Sequence, residues 1–216
     1  MADSVQHSLD LCSMCSKSGT QTCSGCPCSK YCSRECQQAD WVTHKLLCRT
    51  FKTFEPRPSE DHRRGILFPA NKPKPEFIWL ECTRWGPRDC YFSPDFGTLL
   101  GEDNPAPGST YVDFDSLLSR PLQNVVVLKH RDNFMYDGSI LNRSIVQATK
   151  GKAGYDWKGA IVAFGLIGQY PYKDVCRDLD MKDFRYLMSY LLDYGNEEAE
   201  GRHCSEKVQG VKINCV

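Results

Sequence analysis

The residues best suited to chemistry in this chain are eight cysteine and histidine side chains near its N-terminus, arranged in four pairs. The pairs are Cys12 and Cys15, Cys23 and Cys26, Cys32 and Cys36, and His44 and Cys48. Thiolate and imidazole groups are the ligands that structural zinc prefers, and four of them complete one tetrahedral site. Eight ligands therefore predict two bound zinc ions as the cofactors of this chain.

The spacing within the pairs also predicts local structure. The first two pairs are C-x2-C, which suits tight knuckles, whereas the last two have i, i+4 spacing, which places both ligands on one helix face. On one continuous helix, Cys32 and His44 would lie roughly 18 Å apart, too far to share an ion. Each helical pair is therefore expected to share its zinc with a C-x2-C pair. A helix break near Asp40, which could cap a second helix, would weaken this distance argument, and the spacing alone leaves open which knuckle goes with which pair.

A disulfide framework is the competing explanation of a cysteine cluster. The chain has 13 cysteines, an odd number, and the N-terminus has neither a basic start nor an apolar core of a signal peptide. We therefore expect an intracellular location, in the nucleus, the cytoplasm or both, where disulfides are disfavoured. The longest apolar stretch, residues 160–168, is too short to span a bilayer, so no membrane partner is expected.

The segment from Tyr31 to Cys48 fits the pattern YCSxxCQxxxWxxHKxxC, which closely resembles the MYND zinc finger. The resemblance implies a cross-brace with two interleaved sites. One zinc would be held by Cys12, Cys15, Cys32 and Cys36, and the other by Cys23, Cys26, His44 and Cys48. Cys28 has no ligand counterpart in the family and is interpreted as a spare thiol that could replace Cys26. Both sites would be closed by protein ligands, which is typical of structural rather than catalytic zinc.

The same resemblance implies a protein partner. MYND fingers in known co-regulators bind short proline-containing peptides, and the matching positions here are Gln37 and Trp41. An exposed indole ring can stack on proline while a neighbouring amide pairs with the peptide backbone. The alternative for Trp41 is that it forms the small core of the finger. The resulting hypothesis is a zinc-binding protein-interaction adaptor, with a role in transcriptional or developmental regulation.

Four segments are expected along the chain. Residues 1–54 form the small zinc-stabilised cross-brace module of short helices and knuckles, residues 55–76 a linker rich in proline and charge, residues 77–195 an α+β domain, and residues 196–216 a polar tail. In the α+β domain we expect strands near 77–82, 90–92, 124–129 and 159–166, and helices near 115–120, 137–150 and 181–194. This domain is similar to uncharacterised fungal proteins with an N-terminal MYND finger, which implies a fungal source but no activity.

Two other functions remain as alternatives. The sequence has no G-x-S-x-G, no H-E-x-x-H, no complete phosphate-binding loop and no SET methyltransferase signature, so no catalytic residue is predicted and the chain is not expected to be an enzyme. The enzyme alternative places an activity in the C-terminal α+β domain. A DNA-associated regulator is the second alternative, but Lys45, Arg49 and Lys52 alone make no wide basic stripe, and acidic and basic residues balance at 27 each. Direct contact with nucleic acid is therefore not expected.

Overall fold

The structure, a computed structural model, describes residues 11–85, 91–101, 107–169 and 173–195. The polar tail expected over residues 196–216 lies outside the described residues. In chain order the elements are β1 (Gln21–Thr22), β2 (Lys30–Tyr31), α1 (Arg34–His44), α2 (Cys48–Thr53), β3 (His62–Phe68), β4 (Glu76–Trp85), β5 (Tyr91–Pro94), α3 (Gly97–Leu100), β6 (Gly108–Asp115), β7 (Arg120–His130), α4 (Arg143–Ala148), β8 (Ile161–Ile167), β9 (Lys173–Arg177) and α5 (Met181–Asp193). The predicted combination of a cross-brace zinc module and a mixed sheet-and-helix domain is confirmed.

The N-terminal module, residues 11–54, consists of loops around a two-stranded antiparallel ribbon, β1 with β2, and the two helices α1 and α2. Helix α1 starts after Ser33, whose hydroxyl accepts the backbone N–H of Cys36 at 3.4 Å. It ends at His44, and α2 begins only at Cys48. The helix expected under each i, i+4 pair is therefore only partly present, because the serine cap and the break over residues 45–47 leave Cys32 before α1 and Cys48 after it.

The second part of the molecule is built on a seven-stranded antiparallel sheet with the order β5-β4-β3-β8-β7-β6, in which β9 also pairs with β8. The central strands β7 and β8 are nearly continuous apolar runs because both faces of the sheet are covered. Val126 and Leu128 belong to the core under α5, whereas Val125 and Val127 belong to a second core with Leu100 of α3. The alternation follows from the period of two residues in a strand.

Helix α5 covers one face of the sheet. Asp180 caps it by accepting the N–H groups of Lys182 and Asp183, and the Asp183 carboxylate returns a bond to the N–H of Asp180. Phe184 is fully buried against the sheet, where its ring lies 6.4 Å from that of Phe68. The helix predicted near residues 181–194 is thus present, and its buried face covers the larger core.

Part of the segment predicted to be a linker is a central strand. Residues 62–68 form β3, which pairs with β4 from His62↔Glu81 to Leu67↔Glu76 and with β8 through Phe68↔Ile161. Ile66 and Phe68 are completely buried. The five prolines of residues 55–76 lie on either side of this strand and not within it. Their number predicts a linker, but their positions leave the hydrogen bonds of the strand unbroken.

Two predicted helices are also corrected. Residues 116–119 form the turn of the β6–β7 hairpin, where Asp115 accepts the N–H of Leu118 at 3.3 Å, instead of a helix over 115–120. The helix expected over 137–150 is reduced to α4, because Asn142 caps it and also donates to the carbonyl groups of Phe68 and Gly159. Those bonds hold the preceding residues in a loop, and the apolar side chain of Ile140 is 60% exposed.

The N-terminal module packs directly on the sheet. Phe51 of α2 lies 5.4 Å from Phe77 of β4, and Phe54 lies 5.1 Å from Trp79. Buried residues of the module and of the sheet belong to one continuous hydrophobic cluster. Within the described ranges, no helix combines the length and apolar character needed to cross a lipid bilayer.

Candidate zinc centre and adjoining groove

The first candidate metal site brings together the sulfur atoms of Cys12, Cys15, Cys32 and Cys36, all within 4.8 Å of one another. The Sγ atom of Cys32 lies 3.5 Å from that of Cys15 and 3.6 Å from that of Cys36. Four sulfur ligands at about 2.3 Å from a tetrahedral zinc would be separated by about 3.8 Å. The tetrad therefore has the dimensions of a zinc site and lies partly open to solvent on one side.

The second candidate site consists of Cys23, Cys26, His44 and Cys48, all of which are buried. The Sγ atoms of Cys23 and Cys48 are 3.7 Å apart, and the Sγ of Cys26 lies 3.5 Å from Nε2 of His44. A tetrahedral zinc predicts about 3.6 Å for such a sulfur-to-nitrogen edge. All these cysteines are free thiols, so the two tetrads fit two zinc ions.

Each C-x2-C pair forms a tight knuckle that directs a backbone N–H at its own first sulfur. The N–H of Met14 donates to the sulfur of Cys12 and that of Gly25 donates to the sulfur of Cys23, each at a distance of 3.4 Å. Position 25 also requires glycine, because a Cβ atom there would lie only 2.5 Å from Sγ of Cys48. Gly25 was not singled out from the sequence, although a glycine within C-x2-C was an available signal.

A buried chain of hydrogen bonds orients the histidine ligand. With Nε2 directed at the metal position, Nδ1 carries the proton and lies 3.2 Å from the hydroxyl of Tyr31, which in turn donates to Asp40 at 2.7 Å. Burial, together with the adjacent Asp40 carboxylate, raises the pKa of Tyr31 above its ordinary range, so the phenol stays a donor. Sequence reasoning used Tyr31 only as part of a motif and missed this role.

The chain of polar contacts continues into the sheet domain. Nε of Arg185, on α5, lies 3.5 Å from Oδ1 of Asp40, and its Nη1 lies 3.4 Å from the hydroxyl of Thr43. The side chain of Arg185 is 14% exposed and that of Asp40 is 2% exposed. The support of the second metal site is therefore completed by a residue outside the finger, for which the sequence offered no signal.

Cys28 belongs to neither tetrad but contacts one of the ligands. The neighbouring Cys28 thiol, with a smaller contribution from His44, lowers the pKa of Cys26 to about 3 in spite of burial. The interaction with Cys26, together with burial and the nearby Asp180 carboxylate, raises the pKa of Cys28. Cys28 therefore lies outside both tetrads but favours the thiolate form of Cys26, which is the form that binds zinc.

A groove of about 680 Å³, here called the Trp41 groove, adjoins the second tetrad. One wall is a stripe of α1 formed by Arg34, Gln37, Gln38 and Trp41, residues spaced so that they share one helix face. Trp41 is 45% exposed, while its other side is tilted against the ring of His44 at a centroid distance of 6.1 Å. The indole thus both packs on a ligand and presents a surface to the groove.

The rest of the groove is formed by α2 and the second knuckle. Arg49 and Lys52 of α2 line it as exposed wall residues, whereas Cys23 and Cys48 are buried and form its floor with Gly25. Because the floor is made of zinc ligands and their knuckle, the groove can keep its shape only when the second tetrad is assembled. Both residues assigned to partner binding in the sequence, Gln37 and Trp41, line this groove.

Comparison with known proteins decides the nature of the N-terminal module. A family model described as MYND finger matches residues 12–48. Residues 12–48 form a MYND finger. The match covers all eight ligands and the whole of α1, so the family assignment applies to the finger. No solved structure matches the chain.

Several curated proteins are similar to parts of this chain. It is 47% identical over 47 residues to a hypoxia-inducible factor prolyl hydroxylase of Caenorhabditis elegans, covering 22% of this chain and 6% of the relative. It is 46% identical over 121 residues to SET domain-containing protein 14 of the same nematode, covering 56% of this chain and 26% of the relative. It is 46% identical over 43 residues to SET domain and MYND-type zinc finger protein 6 of Schizosaccharomyces pombe, covering 19% of this chain and 9% of the relative.

The chain thus spans between 6% and 26% of the length of these relatives. The MYND finger is a zinc-binding protein-interaction module, and this coarse function is supported by the family match. The fungal source and the regulatory role in transcription stay predictions, as does the expectation that the chain is not an enzyme.

Proposed function

We propose that this chain is a protein-interaction adaptor whose MYND finger docks a proline-containing peptide in the Trp41 groove. The observation that supports this most directly is that Gln37 and Trp41 line one groove and that Trp41 is exposed there. A volume of 680 Å³ falls within the range of about 300–1,000 Å³ typical of ligand pockets. Such a groove has room for a short peptide segment.

The chemistry of the lining suits proline. A proline-rich segment adopts the polyproline II conformation, in which the backbone carbonyl groups have no internal hydrogen bonds. The amides of Gln37 and Gln38 can donate to those carbonyl groups, and the prolyl rings can stack on the indole of Trp41. Because the segment is stiff before it binds, little conformational entropy is lost on docking.

The zinc ions have a structural part in this function. Each tetrad supplies four protein ligands, so neither ion keeps a free position for water or substrate. The metal holds the second knuckle and α2 in place, and the groove lies between these and α1. Chelation of zinc is therefore expected to abolish peptide binding together with the fold of the finger.

The proposal is tested with the zinc-loaded full chain and a labelled synthetic peptide that has a Pro-Pro core, compared with its Ala-Ala counterpart by fluorescence anisotropy. Wild-type protein should bind the proline peptide and not the alanine peptide. Trp41→Ala and Gln37→Ala should each weaken binding, the tryptophan change by about tenfold or more, as for buried aromatic residues at the centre of interfaces.

The matched control is Val42→Ala, because Val42 neighbours Trp41, is 42% exposed and does not line the groove. It should leave the affinity unchanged. If Val42→Ala weakens binding as much as Trp41→Ala, or if no proline peptide binds, the docking proposal is wrong.

A second candidate function is an enzymatic activity in the sheet domain. It is favoured by the match to SET domain-containing protein 14, which extends over 121 residues and therefore well beyond the 37 residues of the finger. SET domains transfer methyl groups, so the test is calorimetric titration of the full chain with S-adenosylmethionine. Saturable binding that survives Trp41→Ala would favour this candidate, and absence of heat at high cofactor concentration would count against it.

A further inference from the structure

The Trp41 groove is unusual in its charge. Three of the residues that form its walls are cations, Arg34 on α1 and Arg49 and Lys52 on α2, and no carboxylate is among the described residues that line it. All three side chains belong to exposed residues. The chain as a whole has equal numbers of acidic and basic residues, so the positive charge is concentrated locally at the groove.

These cations are available to a ligand. In the described parts of the chain, no carboxylate forms an ion pair with Arg49 or Lys52. Arg34 lies next to Glu35, but Glu35 does not line the groove. Among the residues that line the groove, the opposing charge lies at the second tetrad, where three thiolates and a neutral histidine around Zn²⁺ would carry a formal charge of about −1.

The two signs occupy different levels of the groove. The walls are positive, whereas the floor is formed by ligands of the second tetrad and is weakly negative. A carboxylate would therefore be attracted to the walls and repelled from the floor, while an uncharged prolyl ring can lie over the floor beside Trp41.

We propose, on the basis of the proposed peptide docking, that the partner segment is acidic: a proline core with aspartate or glutamate on its flanks, read by Arg34, Arg49 and Lys52. The carboxylates pair with the exposed walls and the prolines contact the indole and the two glutamine amides. Neutral and basic proline-rich segments bind more weakly, which makes the charge of the flanks a determinant of partner choice.

The size of the effect follows from the exposure of the cations. An exposed charge pair changes affinity by roughly 1.5- to 5-fold, so three such pairs give about tenfold. The screening length falls from about 10 Å at 0.1 M salt to about 3 Å at 1 M, so most of the preference should disappear at high salt.

The test uses two peptides that share a Pro-Pro core and differ only in having aspartate or asparagine flanks, titrated into the zinc-loaded full chain. Wild-type protein should bind the aspartate peptide about tenfold more tightly at low salt, with little difference near 1 M. Arg49→Gln combined with Lys52→Gln should reduce the preference to the roughly 1.5- to 5-fold expected of the one pair that remains, with Arg34. Lys45→Gln is the matched control, because Lys45 is exposed on the same segment but does not line the groove.

Three other results would contradict the charge inference, and they differ in what they imply for peptide docking. Equal, Trp41-dependent affinity for both peptides would overturn the charge inference and leave the peptide proposal standing. Failure of both peptides to bind would overturn the two together. If a single-stranded oligonucleotide displaces the aspartate peptide, binds more tightly and loses its binding in the double variant, the groove is a nucleic-acid site and the acidic-peptide inference is wrong.

Discussion

Replacing Tyr31 by phenylalanine tests whether the buried hydrogen-bond chain supports the second zinc site. The hydroxyl accepts from Nδ1 of His44 at 3.2 Å and donates to Asp40 at 2.7 Å. Without it, the alternatives for Nδ1 are Ser29 at 3.5 Å and Asp40 at 3.6 Å, both too long for a good hydrogen bond. The ring of Tyr31 is 1% exposed, and phenylalanine fills almost the same volume.

The expected loss can be stated as zinc affinity. Removing a group that orients a metal-bound histidine typically weakens metal binding by about 10–100-fold, equivalent to about 1.4–2.7 kcal/mol. The first tetrad contains four cysteines and makes no bond to this hydroxyl, so its affinity should stay close to that of the wild type. Tyr31→Phe should therefore weaken one of the two zinc ions and leave the other in place.

Competition with a chromophoric chelator measures the two affinities, and cobalt substitution distinguishes the site with four sulfurs from the site with three sulfurs and one nitrogen. The control is Tyr136→Phe, because Tyr136 is 92% exposed and its hydroxyl belongs to neither metal site. Two zinc ions held as tightly in Tyr31→Phe as in wild type would refute the orienting role. A selective loss at the site with four sulfurs would show that the hydroxyl acts elsewhere.

Three other outcomes are expected. Arg185→Met should lower the free energy of unfolding, measured in urea, by about 2–4 kcal/mol. This is somewhat less than the loss of a short buried ion pair, because the contact with Asp40 is 3.5 Å long, and adding Asp40→Asn should recover part of it. Unchanged stability would contradict the coupling of the finger to α5. Cys28→Ser should keep two zinc ions per chain by elemental analysis, whereas Cys32→Ser should lose at least one, since structural zinc contributes about 10–16 kcal/mol in small peptides; the reverse result would show that the ligand grouping is wrong. A fragment covering residues 74–195 should lack a cooperative unfolding transition by circular dichroism, because it is missing the central strand β3, and a sharp transition would show that the strand is dispensable.

The metal chemistry could be read from the sequence because its ligands occur in pairs that are close along the chain. A knuckle such as Cys12 and Cys15 has its geometry set by local backbone structure, and the four-residue spacing of His44 and Cys48 keeps these two ligands close along the chain. Helix α5 could also be predicted from the sequence, because the Asp180 cap and the apolar period that follows it are local signals.

Other elements were misjudged because their local signals were overruled by distant contacts. Residues 62–68 lie among prolines and charges, and only pairing with β4 and β8 makes them a strand. Residues 137–142 have a helical apolar period, but Asn142 is used to bridge Phe68 and Gly159. A competition between local propensity and long-range hydrogen bonds cannot be decided from neighbouring residues alone.

The sequence by itself determined the zinc ligands and the two positions, Gln37 and Trp41, that fall on one face of a helix. Only the tertiary structure decided what surrounds them: the groove between α1 and α2, its cationic walls, and the contact of Arg185 with a finger residue 142 positions away. The physical reason is that ligand type and helical spacing are properties of short segments. Burial, charge environment and the shape of a surface depend on which segments the fold brings together.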